Sequence, residues 1–240
     1  MGICKKKKCS PEEVVEREFG EMWIWTALDS TSRLLICYLI GERTLEEGRM
    51  LLRDLTNRLM EKPVFTSDEL PHYEDALLEI YHTVVEPKPT GWPGRPQKPY
   101  KQIHPDIDYA TVHKTRVNGR IVKVDTKVVF GKRKRFMQRL ADTPSNTINT
   151  SFIERSNTDW RLWDAHLCRK SLTFAKSQRW LAAKFAIAVS VYNFVRPHET
   201  LSRDQATRKF VPRTPAMAAG ITDRPWNLNN LLNLPILCQS

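Results

Sequence analysis

No apolar run in this 240-residue chain approaches the roughly 18 residues a membrane-spanning helix needs. The longest candidate, Trp180 to Val195, carries Lys184. Nucleotide-loop chemistry is missing too: the 9 glycines form no G-x-x-x-x-G-K-[ST] loop to cradle phosphates. The six histidines are dispersed, with no H-E-x-x-H pair to hold zinc on a helix. Cysteine is scarce and odd in number: Cys4, Cys9, Cys37, Cys168 and Cys238 include no C-x-x-C pair. That excludes a disulfide framework and a zinc ribbon within the chain. Lys5 to Lys8 resemble the basic start of a secretory leader, yet Pro11, Glu12, Glu13 and Glu16 stand where its apolar segment belongs. A cytoplasmic protein working in a reducing compartment is expected.

Acidic residues are outnumbered. Against 38 Lys+Arg stand 27 Asp+Glu, a formal charge of +11, and the sequence pI is about 9.6. Such a balance points to a polyanionic partner, of which nucleic acid is the commonest, although charge also serves solubility alone. Hydrophobic residues make up 41%, enough to bury a core. At about 150 residues per domain, the length fits one large domain or one domain with an insertion.

Residues 1–20 form a charged approach. Two strand-like runs follow, Met22 to Leu28 and Arg33 to Gly41, with Asp29-Ser30-Thr31-Ser32 as their hairpin turn. A helix then starts at Thr44, with Glu47 completing a capping box and Leu45, Leu52, Leu55 and Leu59 on one stripe. Pro63 ends it, Val64-Phe65-Thr66 reads as a short buried strand closing at Ser67-Asp68, and Tyr73, Ala76, Leu77, Ile80, Tyr81 and Val84 mark a second helix. This is an α/β order, in which a strand–helix–strand crossover implies a parallel pair. Six prolines between Glu86 and Pro105 make an extended linker. Thr111 to Phe130 alternates about Asn118-Gly119, a strong hairpin signal, and the basic run Lys132, Arg133, Lys134, Arg135 follows. The last third is helical over about 151–170 and 176–195, the second segment apolar nearly all round and therefore expected to be buried.

Two acids stand out. Asp68 closes a strand, where its carboxylate reaches the sheet's edge; it is equally placed to cap the helix that follows. Glu154 completes a capping box with Ser151. At about 100° per residue from Phe152, however, it falls with Asn157 and Arg161 between about 140° and 200°, opposite the aromatic face of Trp160 and Trp163. That column is either a solvated face or a carboxylate for a metal beside two phosphate contacts. Carboxylates from a sheet edge and a helix suit two Mg²⁺ (or Mn²⁺) ions, which take oxygen ligands and together act on both oxygens of a phosphodiester displacement. His198, in Arg196-Pro197-His198, reads as a structural or DNA-facing residue. Pro93-Gly94-Arg95-Pro96-Gln97-Lys98-Pro99 is either a stiff linker or a hook in which Arg95 and Lys98 enter an A·T-rich minor groove.

Several segments occur in a telling order: Trp23 to Asp29, Gly41-Glu42-Arg43-Thr44, Phe65-Thr66-Ser67-Asp68, Ile153-Glu154-Arg155-Ser156-Asn157, Arg169 to Ser177, Tyr192-Asn193-Phe194-Val195-Arg196-Pro197-His198 and Arg213 to Gly220. Together, over about 20–235, they resemble the DDE transposases of bacterial and archaeal insertion sequences, of the insertion-sequence-one type. The resemblance implies a ribonuclease-H-like mixed sheet flanked by helices and a homo-oligomer on double-stranded DNA. It also implies metal-dependent DNA cleavage, after which the freed 3′-OH attacks target DNA. Asp68 matches the family's second acid, Glu154 the third, and Arg161 the basic residue after it. The two acids are 86 positions apart (68 to 154), a long interval that the linker and hairpin fill. The first acid of the family sits in an Asp-Glu-x-Trp motif before a basic stretch like Lys5–Lys8, so the chain is expected to be N-terminally shortened. Asp29 is a weak substitute.

The expected organisation is therefore a ribonuclease-H-like domain over 21–86 and 146–200, an insertion over 87–145 and an irregular tail over 201–240. Its expected function is that of a transposase catalytic domain; the alternative is an inactive DNA-binding remnant.

Overall fold

The first hairpin forms where Trp, Ile and Leu alternate with smaller residues. β1 (Trp23–Leu28) pairs antiparallel with β2 (Leu35–Gly41), from Trp23 opposite Gly41 to Leu28 opposite Leu35. The computed structural model describes residues 22–87, 98–141, 143–168, 172–173, 175, 177–203 and 209–233. The chain divides into two compact units, one of residues 1–42 and 152–240 and the other of residues 43–151. Among the described residues the architecture is mixed α/β, with open sheets and helices.

In the first unit the β1–β2 hairpin packs on α4 (Ser151–Trp163) and α5 (Gln178–Ser190). Ile24, Leu35, Trp160, Leu181, Phe185 and Tyr192 form the core, with the Trp160 ring edge-on to Phe185 at 5.2 Å and to Tyr192 at 5.0 Å. α5 does not bury all round, as its composition led us to expect. It buries one stripe, Leu181, Phe185 and Val189, and leaves Trp180 and Ile187 exposed. α5 continues as one π-helical turn, Val191–Val195, closed by Arg196 N–H to Val191 O at 2.9 Å. The wider turn brings two consecutive residues inward. The Tyr192 hydroxyl donates to Arg33 O at 2.8 Å. Asn193 pairs with Leu35 in both directions, accepting its N–H at 3.1 Å and donating to its carbonyl at 3.0 Å. A buried carboxamide thus acts as a third strand at the start of β2.

The second unit is built on a three-stranded sheet in the order β3 (Val64–Asp68), β6 (Asp108–Val117), β7 (Arg120–Phe130). α1 (Leu45–Arg58) starts as expected, with Thr44 Oγ1 accepting the Glu47 N–H at 3.4 Å. It packs on α2 (Pro71–Ile80) through the buried Leu51, Leu52, Leu55, Ala76 and Leu77. Val84, expected on that second helix, lies instead in β4 (His82–Val85), which pairs antiparallel with β5 (Tyr100–Ile103) at the end of the proline-rich stretch. The expected parallel pair exists with a different partner. β3 (Val64–Asp68) runs parallel to β6 (Asp108–Val117), Val64 opposite Asp108 and Asp68 opposite Val112, while among the described residues β2 pairs only with β1. The hairpin expected inside an insertion therefore shares a sheet with the strand that ends in Asp68. The reason is burial: Ala110 and Val112 of β6 cover Val64, with Phe136 and Leu140 of α3 (Arg133–Ala141) above them. β7 (Arg120–Phe130) returns antiparallel through Asn118 (φ 50°) and Gly119 (φ 78°), the two left-handed residues a tight turn of this type requires.

One ion cluster ties α3 to the start of β6. Asp108 has no exposed surface and accepts from Arg135 at 2.6 Å and Arg139 at 2.9 Å. Gly131 (φ 88°) clears the space, since a Cβ there would lie 2.0 Å from Asp108 Oδ1. Arg135, expected as a DNA contact in the basic run, is held by this carboxylate instead, because a buried charge needs a partner.

Removing the Asp108 carboxylate leaves two arginines facing each other. Both are about one-third exposed, so Asp108→Ala should cost near the low end of the roughly 3–5 kcal/mol typical of broken buried pairs. Urea unfolding of the full chain reads this directly, and Gly131→Ala should shift the curve the same way. Asn193→Ala should lower stability by at least about 2 kcal/mol, since it removes two neutral hydrogen bonds of about 1 kcal/mol each and leaves the Leu35 backbone unpaired. A smaller shift than about 0.5 kcal/mol would mean that water replaces the carboxamide.

Candidate active site

Asp68 is the last residue of β3 and its carboxylate is exposed. It does not cap the next helix: α2 begins at Pro71 behind Leu70, and no side chain caps it. Among the described residues the Asp68 carboxylate takes part in no hydrogen bond or ion pair. Its backbone is held firmly. The Ser67 hydroxyl donates to Asp68 O at 2.7 Å and lies 2.8 Å from the Tyr109 hydroxyl. Ser67 has one proton and gives it to the carbonyl, so Tyr109 is the donor to Ser67. The Tyr109 phenol is 1% exposed and its pKa is pushed up to about 12, chiefly by burial, so that proton stays in place at neutral pH. Next to Asp68, Glu69 pairs with His113 Nδ1 of β6 at 2.5 Å.

Glu154 lies in the first turn of α4, exposed, with Asn157 and Arg161 partly exposed further along the helix. The helix starts differently from a Ser151 capping box. Ser151 is already helical, and its N–H and hydroxyl both go to Asn149 Oδ1, at 3.1 and 2.6 Å. The Arg33 guanidinium stacks 3.6 Å over the Phe152 ring, fixing the first turn of α4 against the β1–β2 turn. Asp68 belongs to one compact unit and Glu154 to the other.

The remaining candidates divide sharply. Asp29, the weak substitute for a first acid, has both oxygens occupied by its own turn. Oδ1 accepts from Thr31 N–H at 3.1 Å, and Oδ2 from Ser32 N–H and hydroxyl at 2.8 and 2.5 Å. This is the local bonding that makes Asp a turn residue. Lys98, Lys132, Arg133 and Lys134 are exposed, and Arg95 lies outside the described residues. Among the described residues no group of three His, Cys, Asp or Glu side chains could hold a metal. Asp68 still suits Mg²⁺ or Mn²⁺: it is an uncommitted hard oxygen donor, and such ions are commonly held by one or two carboxylates plus waters and substrate phosphates.

A constellation the sequence reading did not assign surrounds the π-helical turn. Arg196 lies 4.0 Å over the Trp163 ring, and the Tyr192 and His198 rings meet edge to face at 6.4 Å. His198 Nδ1 is buried and, among the described residues, finds no hydrogen-bond partner. Burial holds His198 below the ordinary histidine pKa; the charges of Arg33 and Arg155 add to this, while Asp159 and Glu199 oppose it. The run Tyr192-Asn193-Phe194-Val195-Arg196-Pro197-His198 marks the place in the sequence, but its job of closing the hairpin's edge is visible only in three dimensions.

Comparison with protein-family models, with curated proteins and with solved structures finds no match.

Because the fold holds its pKa down, His198 takes up a proton less readily folded than unfolded. Its contribution to stability is therefore complete above the ordinary histidine pKa and is lost as pH falls below it. Thermal unfolding should shift to lower temperature between about pH 7.5 and about pH 5.5, and His198→Gln should flatten that dependence. Parallel profiles for the two proteins would show that the imidazole is not desolvated.

Proposed function

We propose that the chain is the catalytic region of a DDE-type transposase of the insertion-sequence-one type, with a ribonuclease-H-like fold, acting on double-stranded DNA in the cytoplasm as a homo-oligomer. The observation that carries this reading is Asp68. It is an exposed carboxylate at a strand end, free of any capping duty, on a backbone locked by the Tyr109–Ser67 pair. The ordered motifs around Glu154, Asn157 and Arg161 add to it, as do the mixed α/β architecture and the formal charge of +11.

In this reading Asp68 and Glu154 bind Mg²⁺ or Mn²⁺, which when bound supplies charge stabilisation to an in-line displacement at phosphorus. The protein's own residues orient the substrate. Asn157 and Arg161 contact phosphate oxygens from the helix that carries Glu154, and arginine suits them by its fixed fork of donors. Exposed Lys132, Arg133 and Lys134 add sequence-independent attraction to the DNA backbone. Water opens the phosphodiester at the element's end to give a 3′-OH and a 5′-phosphate, and that 3′-OH attacks a phosphorus of the target strand, forming a new P–O bond as the target's own 3′-oxygen leaves.

A second reading, a remnant that binds DNA without cutting it, is favoured by the occupied carboxylate of Asp29, which leaves that residue poorly suited to serve as the first acid.

Nicking of supercoiled plasmid in Mg²⁺ or Mn²⁺ separates the two. Asp68→Asn and Glu154→Gln should each reduce nicking by more than the roughly 10–100-fold cost of losing an outer-shell partner, with DNA binding retained. Wild-type protein that binds but never nicks supports the remnant. Variants that nick at the wild-type rate overturn the site assignment.

A further inference from the structure

The β6–β7 hairpin extends well beyond the sheet that anchors it. β3 pairs with β6 only from Asp108 to Val112. From His113 to Asp125, among the described residues, the two strands pair only with each other, and every residue from Arg116 to Asp125 is exposed. An isolated two-stranded ribbon is marginal by itself. This one also carries Val117, Ile121, Val122 and Val124 about half exposed, an aliphatic surface that free strands usually avoid. Its charge is strongly one-sided: residues 113–127 hold five Lys and Arg against Asp125 alone, and Lys123 pairs with that acid at 2.9 Å.

The cross-strand register organises these side chains. Lys114 lies opposite Val124, Arg116 opposite Ile121 and Val117 opposite Arg120. Three rungs thus join one cation to one aliphatic side chain, with Lys114 and Arg116 on β6 and Arg120 on β7. A second copy of the ribbon would bring like charges together. Duplex DNA offers the opposite: phosphates line the rims of a major groove about 12 Å wide, which admits a two-stranded ribbon, and thymine methyls and base edges form its floor.

We propose that the distal β6–β7 hairpin is a DNA-binding ribbon that enters the major groove, with Arg116, Arg120 and Lys123 on the phosphate rims and Ile121 and Val124 toward the bases. The inference rests on DNA being the substrate in the reading above, but it assigns residues other than Asp68, Glu154 and the basic run Lys132 to Arg135.

Fluorescence anisotropy of the full chain on a mixed-sequence duplex of about 20 base pairs tests it, over about 50–200 mM salt. Replacing Arg116, Arg120 and Lys123 with Gln should make the salt slope shallower by about 2 to 3, since each phosphate contact contributes roughly 0.9. Ile121→Thr with Val124→Thr should weaken binding at every salt concentration and leave the slope unchanged. Guanine N7, which lies in the major groove, should be protected from methylation by the wild-type chain and not by the triple variant, with the unfolding temperature checked to remain unchanged. An unaltered slope, or no N7 protection by the wild-type chain, overturns the proposal. The catalytic reading can fail separately: a shallower slope in a protein that never nicks supports the ribbon alone. Loss of nicking in Asp68→Asn, with binding unaffected by the triple substitution, supports the catalytic site alone.

Discussion

A polar group taken out of water must find a partner, and both units of this protein are organised around one such obligation. In the first unit the obligation is the backbone of Leu35 at the start of β2, answered by the side chain of Asn193, 158 residues away. In the second it is the carboxylate of Asp108, fully buried at the start of β6 and answered by Arg135 and Arg139. Each pairing joins a helical segment to a strand. Aliphatic burial supplies most of the driving force in both cores, but it is non-directional; the polar pairs decide which strand end meets which helix.

Those anchors account for what is ordered near the candidate site. Asn193 and Tyr192 hold the β1–β2 hairpin, Arg33 in its turn stacks on Phe152, and Phe152 belongs to the turn of α4 that presents Glu154. Asp108 and its arginines hold the start of β6, whose next residue, Tyr109, reaches through Ser67 to the backbone of Asp68. In each unit the acid is exposed while its support is buried. At Asp68 that combination suits a residue whose partner comes from outside the chain, since rigid support keeps a site's geometry without consuming its functional group.

Much of the local structure was legible in the residues. The hairpin turn at Asp29 to Ser32, the helix start at Thr44 and the Asn118-Gly119 turn all came out as expected, because each depends on neighbours in sequence. Long-range choices were less accessible. The parallel partner of β3 turned out to be β6, and α5 buried one stripe where its composition promised burial all round. The candidate acids were picked out from residue type and position. That Asp68 does not cap α2 and that Asp29 is occupied by its own turn needed coordinates, because both alternatives used the same residues.

The sequence by itself determined the net charge, the short elements, their turns and the residues able to do acid chemistry. All of these follow from properties of single residues or of neighbours within a few positions. Tertiary structure decided which strands pair and which charges are free. Lys132, Arg133 and Lys134 project to solvent while Arg135, one position further, is held by Asp108. Four consecutive basic residues look alike in sequence. Only the burial of a distant carboxylate distinguishes the one that must neutralise it.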